Sequence, residues 1–187
     1  MEDVKTSGKD IEVEGDEALA TLASAGSRAA FFELYQRYST RIRSMAARMT
    51  GDEHVANDLT QDVFARAWTS LDSFDPSRKF APWLFAIATH RIVDELKRRR
   101  RWKPAPEDDT LPDRAPRPEI VVLRREEVGL LREALGRVPA PLRIVLILTL
   151  QEQQSPEEVA ESLGISVNLA RVRLCRGLRT LQGVLAP

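Results

Sequence analysis

Between Ile165 and Pro187 the chain carries Arg171, Arg173, Arg176 and Arg179 and no acidic side chain. Arginine can bond guanine bidentately and asparagine, here Asn168, can do the same for adenine; each good pair gives about 1–3 kcal/mol of base discrimination. A second group, Ser77, Arg78, Lys79 and Phe80, supplies a hydroxyl, two cations and an aromatic ring. That mixture suits single-stranded DNA, where charge follows phosphates and a pocket accepts an unstacked base. Arg91 and the run Lys97-Arg98-Arg99-Arg100-Arg101-Trp102-Lys103 add dense positive charge. Neutralising phosphates releases counterions, so such a segment contributes salt-dependent and largely sequence-independent affinity. The third group is acidic: Asp58 and Asp62 stand i, i+4 with Gln61 between them. On a helix these carboxylates repel by a few tenths of a kcal/mol, roughly, and a basic external partner relieves that cost.

Helices are expected to position all three groups. Phe31, Leu34, Tyr35, Tyr38, Ile42, Met45 and Met49 recur at the spacing of one helix face, and Gly51-Asp52 ends that run. Val55, Leu59, Val63, Ala67 and Leu71 then form the apolar side of a second helix, with Asp58, Gln61, Asp62 and Ala65 on another side. Phe74 to Phe80 has no helical period and contains Asp75-Pro76, which predicts a loop. Pro82 suits the first turn of a third helix that carries Trp83, Leu84, Ile87, Ala88, Ile92 and Leu96 inward.

Further on, Ser155-Pro156-Glu157-Glu158 is a capping box with proline at the first helical position. Val159 to Asn168 then fits a helix-turn-helix. Small Ala160 permits close helix approach, Gly164 suits the left-handed turn, and Ser166 caps the second helix. On that second helix Val167, Ala170, Leu174, Gly177, Leu178 and Leu181 are expected inward, and Asn168, Arg171, Val172, Cys175, Arg176 and Arg179 outward. The apolar run Ile144-Val145-Leu146-Ile147-Leu148 has the length of a strand, but helical flanks and the lack of a partner strand favour a buried helix.

The 187 residues, 43% of them hydrophobic, suffice for two small cores, and 28 basic residues balance 28 acidic ones. The expected organisation is all-α: an acidic flexible tail over 1–24, a helical domain over 25–103, a flexible Pro-rich acidic linker over 104–122, and a helix-turn-helix domain over 123–187. No stretch reaches the roughly 20 apolar residues of a membrane span, and no signal peptide is visible. Cys175 is the single cysteine, and His54 and His90 have no companion at ligand spacing, so no metal site is expected. No Gly-rich phosphate loop and no nucleophile with an orienting base is present, so no cofactor and no enzymatic activity is expected.

Asp58-Leu59-Thr60-Gln61-Asp62-Val63-Phe64-Ala65-Arg66-Ala67-Trp68 resembles the polymerase-binding helix of sigma domain 2. Phe80 to Ala88, followed by Asp94 and the basic run, is similar to the adjoining promoter-melting segment, and Leu135 to Leu181 to sigma domain 4. Asn57, His90 and Asn168-Leu169 depart from the usual family residues, as do Val172 and Cys175 on the recognition helix. The resemblance is to the extracytoplasmic-function branch of the sigma-70 family, because a short linker replaces a middle domain. It implies a cytoplasmic sigma factor whose Asp58, Gln61 and Asp62 bind the beta-prime clamp helices of core RNA polymerase, with the beta flap as a further contact. It implies that Ser77, Arg78, Lys79, Phe80, Arg91, Lys97 and Arg98 serve the -10 element, single-stranded once melted. Ser166, Asn168, Arg171, Val172, Cys175 and Arg176 serve the duplex -35 element. An anti-sigma factor, which can hold the chain at the membrane, is the expected regulator. Two alternatives remain at this point: a stand-alone helix-turn-helix regulator using residues 123–187, and a sigma mimic that only sequesters an anti-sigma protein.

Overall fold

The structure is a computed structural model and describes residues 15–99, 131 and 133–185. No β-strand occurs among them. The expected linker over 104–122 and the basic residues Arg100, Arg101, Trp102 and Lys103 lie outside the described residues.

The N-terminal lobe contains α1 (Asp16–Ser24), α2 (Arg28–Thr50), α3 (Glu53–Ser70) and α4 (Phe80–Arg98). Local chemistry sets the α2/α3 hairpin. Ser27 caps α2 by accepting from the Ala30 amide, Gly51 ends it in the left-handed conformation at φ 73°, and Asp52 accepts from the His54 and Val55 amides to start α3. Leu34, Ile42 and Met45 of α2 are fully buried against Val63 and Ala67 of α3 and Leu84, Phe85, Ala88 and Ile92 of α4.

Helix α1 corrects the expected tail over residues 16–24, while residues 1–14 of that tail lie outside the described residues. Acidic residues dominate the beginning of the chain, but Leu19, Ala20 and Ala23 form one buried stripe on α1. The acids nearest that stripe have internal partners. Asp16 accepts from Arg37 at 2.8 Å and from the Tyr38 hydroxyl, and Glu17 accepts from the Phe80 amide at 3.0 Å. Burial and then the Asp16 hydrogen bond push the Tyr38 phenol far above its ordinary value. Glu17 thus caps α4, whose own N-cap residue, Lys79, provides no side-chain cap.

The C-terminal lobe contains residues 133–137 in helical conformation, α5 (Ala140–Leu146), a π-helical turn (Ile147–Gln151), α6 (Pro156–Leu163) and α7 (Val167–Leu185). The Ile144–Leu148 run is therefore helical, and all five side chains are buried. Both halves of the Ser155–Glu158 capping box form. Gly164 takes the left-handed conformation at φ 62°, and Ser166 accepts from the Leu169 amide at 3.1 Å to begin α7. Where α7 crosses α5, a Cβ on Gly177 would lie 3.0 Å from Leu146 Cγ, so only glycine permits that approach without movement.

The lobes are packed together. One apolar cluster runs from Leu84 and Phe85 of α4 into Val159 and Ala160 of α6 and Ile144 of α5. Arg143 of α5 donates to the Arg48 and Met49 carbonyls at the end of α2, at 3.2 and 3.3 Å, and to Gly136 and Val138 carbonyls of its own lobe at 2.8 and 2.9 Å. Carbonyls at a helix C-terminus attract a cation, which offsets burial of a guanidinium that pairs with no carboxylate among the described residues. That burial pulls the Arg143 pKa below its usual value.

Candidate nucleic-acid interface

Three surfaces carry the residues singled out in the sequence. The first is the exposed side of α3. Asp58 and Gln61 are exposed, and Asp58 makes no ion pair among the described residues. Asp62 behaves differently and corrects the expectation that both carboxylates await an external cation. Arg66 reaches it from one turn later at 3.2 Å, and Arg91 of α4 bonds its other oxygen. Burial pushes the Asp62 carboxyl up, but the Arg91 and Arg66 hydrogen bonds outweigh this and hold it below its ordinary value. Arg91 was expected on DNA and Asp62 on protein; the fold joins them across 29 residues of sequence.

An aromatic strip beside this side was not anticipated. Phe32 is 59% exposed and stacks on Tyr35 with centroids 6.4 Å apart, while Trp68 is 37% exposed against Phe31. Tyr35 and Gln61 line one groove together with Arg43 and Asn57. The available signal was the Phe31-Phe32 pair, because adjacent residues on a helix point about 100° apart and cannot share one buried face.

The second surface is the loop before α4. Asp75 Oδ1 accepts from the Ser77 amide at 2.9 Å and from the Ser77 hydroxyl at 2.8 Å, and the Arg78 amide donates to the Asp75 carbonyl at 3.0 Å. These bonds make a preformed Asx turn that holds Ser77, Arg78 and Lys79 on its exposed side. Phe80 is the correction here. It is fully buried, with ring centroids 5.5 Å from Phe74, 5.5 Å from Trp83 and 5.7 Å from Tyr38, so it anchors the loop and cannot stack on a base. Both loop cations meet carboxylates of α6: Arg78 lies 2.5 Å from Glu161 and Lys79 lies 2.7 Å from Glu158. The Lys79 hydrogen bond, opposed by burial and helped by the Ser155 amide, holds Glu158 below its ordinary value. Lys97 and Arg98 are exposed near the end of α4, and Arg98 pairs with Glu95 at 2.7 Å.

The third surface is the start of α7. Ser166, Asn168 and Arg171 are exposed and Arg176 is half-buried. Val172 and Cys175, expected to face a groove, are both buried. The reason is that α7 packs on α5 and on α6, so the covered part of the helix is wider than the single face drawn from periodicity. Arg171 pairs with Glu157 at 2.9 Å, but both side chains are more than half exposed. Such a pair is worth about 0–1 kcal/mol and yields readily to a stronger acceptor.

A helix-turn-helix lobe joined to a lobe with a basic turn and an acidic helix side defines a DNA-reading subunit that also carries a protein-docking surface. Family models described as Sigma-70 region 2 and Sigma-70, region 4 match residues 34–102 and 129–181. RNA polymerase sigma factor NccH of Alcaligenes xylosoxydans xylosoxydans is 36% identical over 177 residues, 91% of this chain and 94% of that protein. ECF RNA polymerase sigma factor SigE of Mycolicibacterium smegmatis is 33% identical over 157 residues, 82% of this chain and 61% of that protein. The structure of CnrH in complex with the cytosolic domain of CnrY superposes with a TM-score of 0.70 at 28% identity, covering 92% of this chain and 97% of that one. The chain belongs to the extracytoplasmic-function sigma factors of the sigma-70 family, which are non-enzymatic transcription initiation factors. A stand-alone helix-turn-helix regulator is thereby excluded, because the region 2 match lies wholly outside such a unit. Among the described residues no helix is long and apolar enough to cross a membrane.

Proposed function

We propose that this sigma factor docks on core RNA polymerase through Asp58 and Gln61, reads the -35 duplex with Ser166, Asn168, Arg171 and Arg176, and holds the melted -10 strand with Ser77, Arg78 and Lys79. Lys97 and Arg98 add phosphate contacts beside that strand. The observation that carries this division is the exposure of Asp58 on one side of α3, with no ion pair among the described residues, while Arg78, Arg171 and Arg176 lie on other elements. Phe80, Val172 and Cys175 take no part because they are buried, and Asp62 and Arg91 act on each other.

The likeness to CnrH bound by the cytosolic domain of CnrY supports an anti-sigma factor as the regulator of this chain. It would confine the chain to the cytoplasm, at the membrane where the anti-sigma protein is itself anchored. The decisive experiment is transcription in a purified system with core polymerase and a genomic fragment library, with transcript starts sequenced. A sigma mimic gives no defined starts; a sigma factor gives a shared promoter pattern.

Two substitutions separate the surfaces. Asp58→Arg places a cation where a basic partner docks, and its affinity for core polymerase is expected to fall by about tenfold or more, or about 1.4 kcal/mol. Titration of labelled polymerase checks this, with unchanged circular dichroism as the control. Arg171→Ala with Arg176→Ala should leave that titration unchanged while costing about 1–3 kcal/mol of promoter discrimination per lost base contact. Loss of polymerase binding in the arginine variant would contradict the division of labour.

A further inference from the structure

The two cations that the proposed function assigns to an unwound strand are already occupied by the other lobe. Glu161 and Glu158 of α6 stand on Arg78 and Lys79 where strand phosphates would have to lie. The occupation is backed by a buried seam. Ser162, which directly follows Glu161 and is fully buried, has its hydroxyl 3.2 Å from the Pro82 carbonyl of α4 and 3.1 Å from Gln154 Oε1. Two residues before Gln154, Glu152, with a side chain 1% exposed, takes Arg41 of α2 at 2.7 Å. The Arg41 guanidinium also lies over the rings of Tyr38 and Phe85, 4.9 and 5.4 Å from their centroids. Between Glu152 and Gln154, Gln153 takes φ 55°, a left-handed conformation that a residue with a Cβ adopts at a cost. The segment that docks on the N-terminal lobe is therefore a strained loop followed by a capped acidic helix.

We propose that this segment, Glu152 to Leu163, is an internal latch: α6 uses its acidic edge to cover the strand-binding turn, and the lobes must part before that turn can take DNA. The proposal rests on the strand-binding role given to Ser77, Arg78 and Lys79 above. The latch has two parts with different physics. The apolar seam does not depend on salt, and the Glu152 end of its pair with Arg41 is buried although Arg41 is 40% exposed, whereas the Arg78 and Lys79 side chains are 58% and 75% exposed, so their pairs are screened and individually weak. Phosphates replace carboxylates like for like at the turn. A strand therefore competes directly with α6, and docking of the lobes on separate sites of polymerase would pull the seam apart.

The test uses the full-length chain with Cys175→Ala and spin labels on cysteines placed at exposed Thr69 of α3 and Gln182 of α7. Double electron–electron resonance reads the distance between lobes. The free chain should give one narrow distance, which core polymerase lengthens. Glu158→Gln with Glu161→Gln should broaden it while keeping the capping box, since glutamine serves there as well as glutamate. The same variant should bind a short single-stranded oligonucleotide about three- to tenfold more tightly at low salt, and Glu53→Gln with Glu133→Gln, which removes the same charge elsewhere, should not. A free-chain distance that is already broad, or one that the acid substitutions leave unmoved together with unchanged oligonucleotide affinity, overturns the latch. The strand-binding role fails separately: if Arg78→Ala with Lys79→Ala leaves oligonucleotide binding intact while the distance is narrow and acid-sensitive, the latch stands without that role.

Discussion

Phe80→Ala is expected to lower the stability of the chain by about 3–5 kcal/mol, the usual cost of deleting a buried aromatic ring. The side chain is fully enclosed by Phe74, Trp83 and Tyr38, and its loss leaves a cavity at the point where α1, the loop and α4 meet. Urea denaturation checks this, with the midpoint falling at unchanged slope. The result matters for function because promoter melting would also decline in this variant, for a structural reason. A Phe80→Leu control, which keeps most of the volume, should recover most of the stability and most of the melting. If Phe80→Ala were as stable as the parent but failed to hold melted DNA, the ring would be acting as a base contact and its burial would be wrong.

Leu19→Ala has the second largest expected effect, about 3 kcal/mol by thermal or urea unfolding. A substitution in an unpacked tail changes stability by less than about 0.5 kcal/mol, so the two outcomes are well separated. Leu19 is fully buried beside Ala20, and α1 also delivers Asp16 to Arg37 and Tyr38 and Glu17 to the Phe80 amide. Loosening α1 therefore exposes the cap of α4 and, through it, the turn that carries Ser77, Arg78 and Lys79. Truncation at residue 24 should impair that turn although it removes no residue of it.

These two results bear on how the three surfaces are built. The side of α3 proposed to dock on polymerase is a helix surface left over after α3 has buried Leu59, Val63 and Ala67. The turn proposed to bind the strand is held by its own Asx bonds from inside and by Phe80 from beneath. The surface proposed to read duplex depends on Gly164 and Ser166 for its angle and on Gly177 for how closely α7 can lie on α5. Each is supported by side chains buried beneath it, such as Val63, Phe80 and Val172, so loss of function alone does not identify a contact residue.

Features set by near neighbours were legible in the sequence alone. The α2/α3 hairpin at Gly51-Asp52, the Ser155–Glu158 capping box, the left-handed Gly164 and the Ser166 cap all depend on residues within four positions of one another, and all are present as expected. The all-helical class followed from the same periodicities, and the family resemblance from short runs of residues. Features decided by distant residues were not legible. Whether Asp62 faces a partner or Arg91, whether Val172 and Cys175 are covered, whether α1 is a tail or a clamp, and whether α6 lies on Arg78 and Lys79 all depend on what packs against each helix. Periodicity shows that a helix has an apolar side but is silent on how many neighbours cover it, and charge along the chain does not say which opposite charge the fold will bring within 4 Å. Only the tertiary arrangement, through burial and the pairing that burial demands, made those choices.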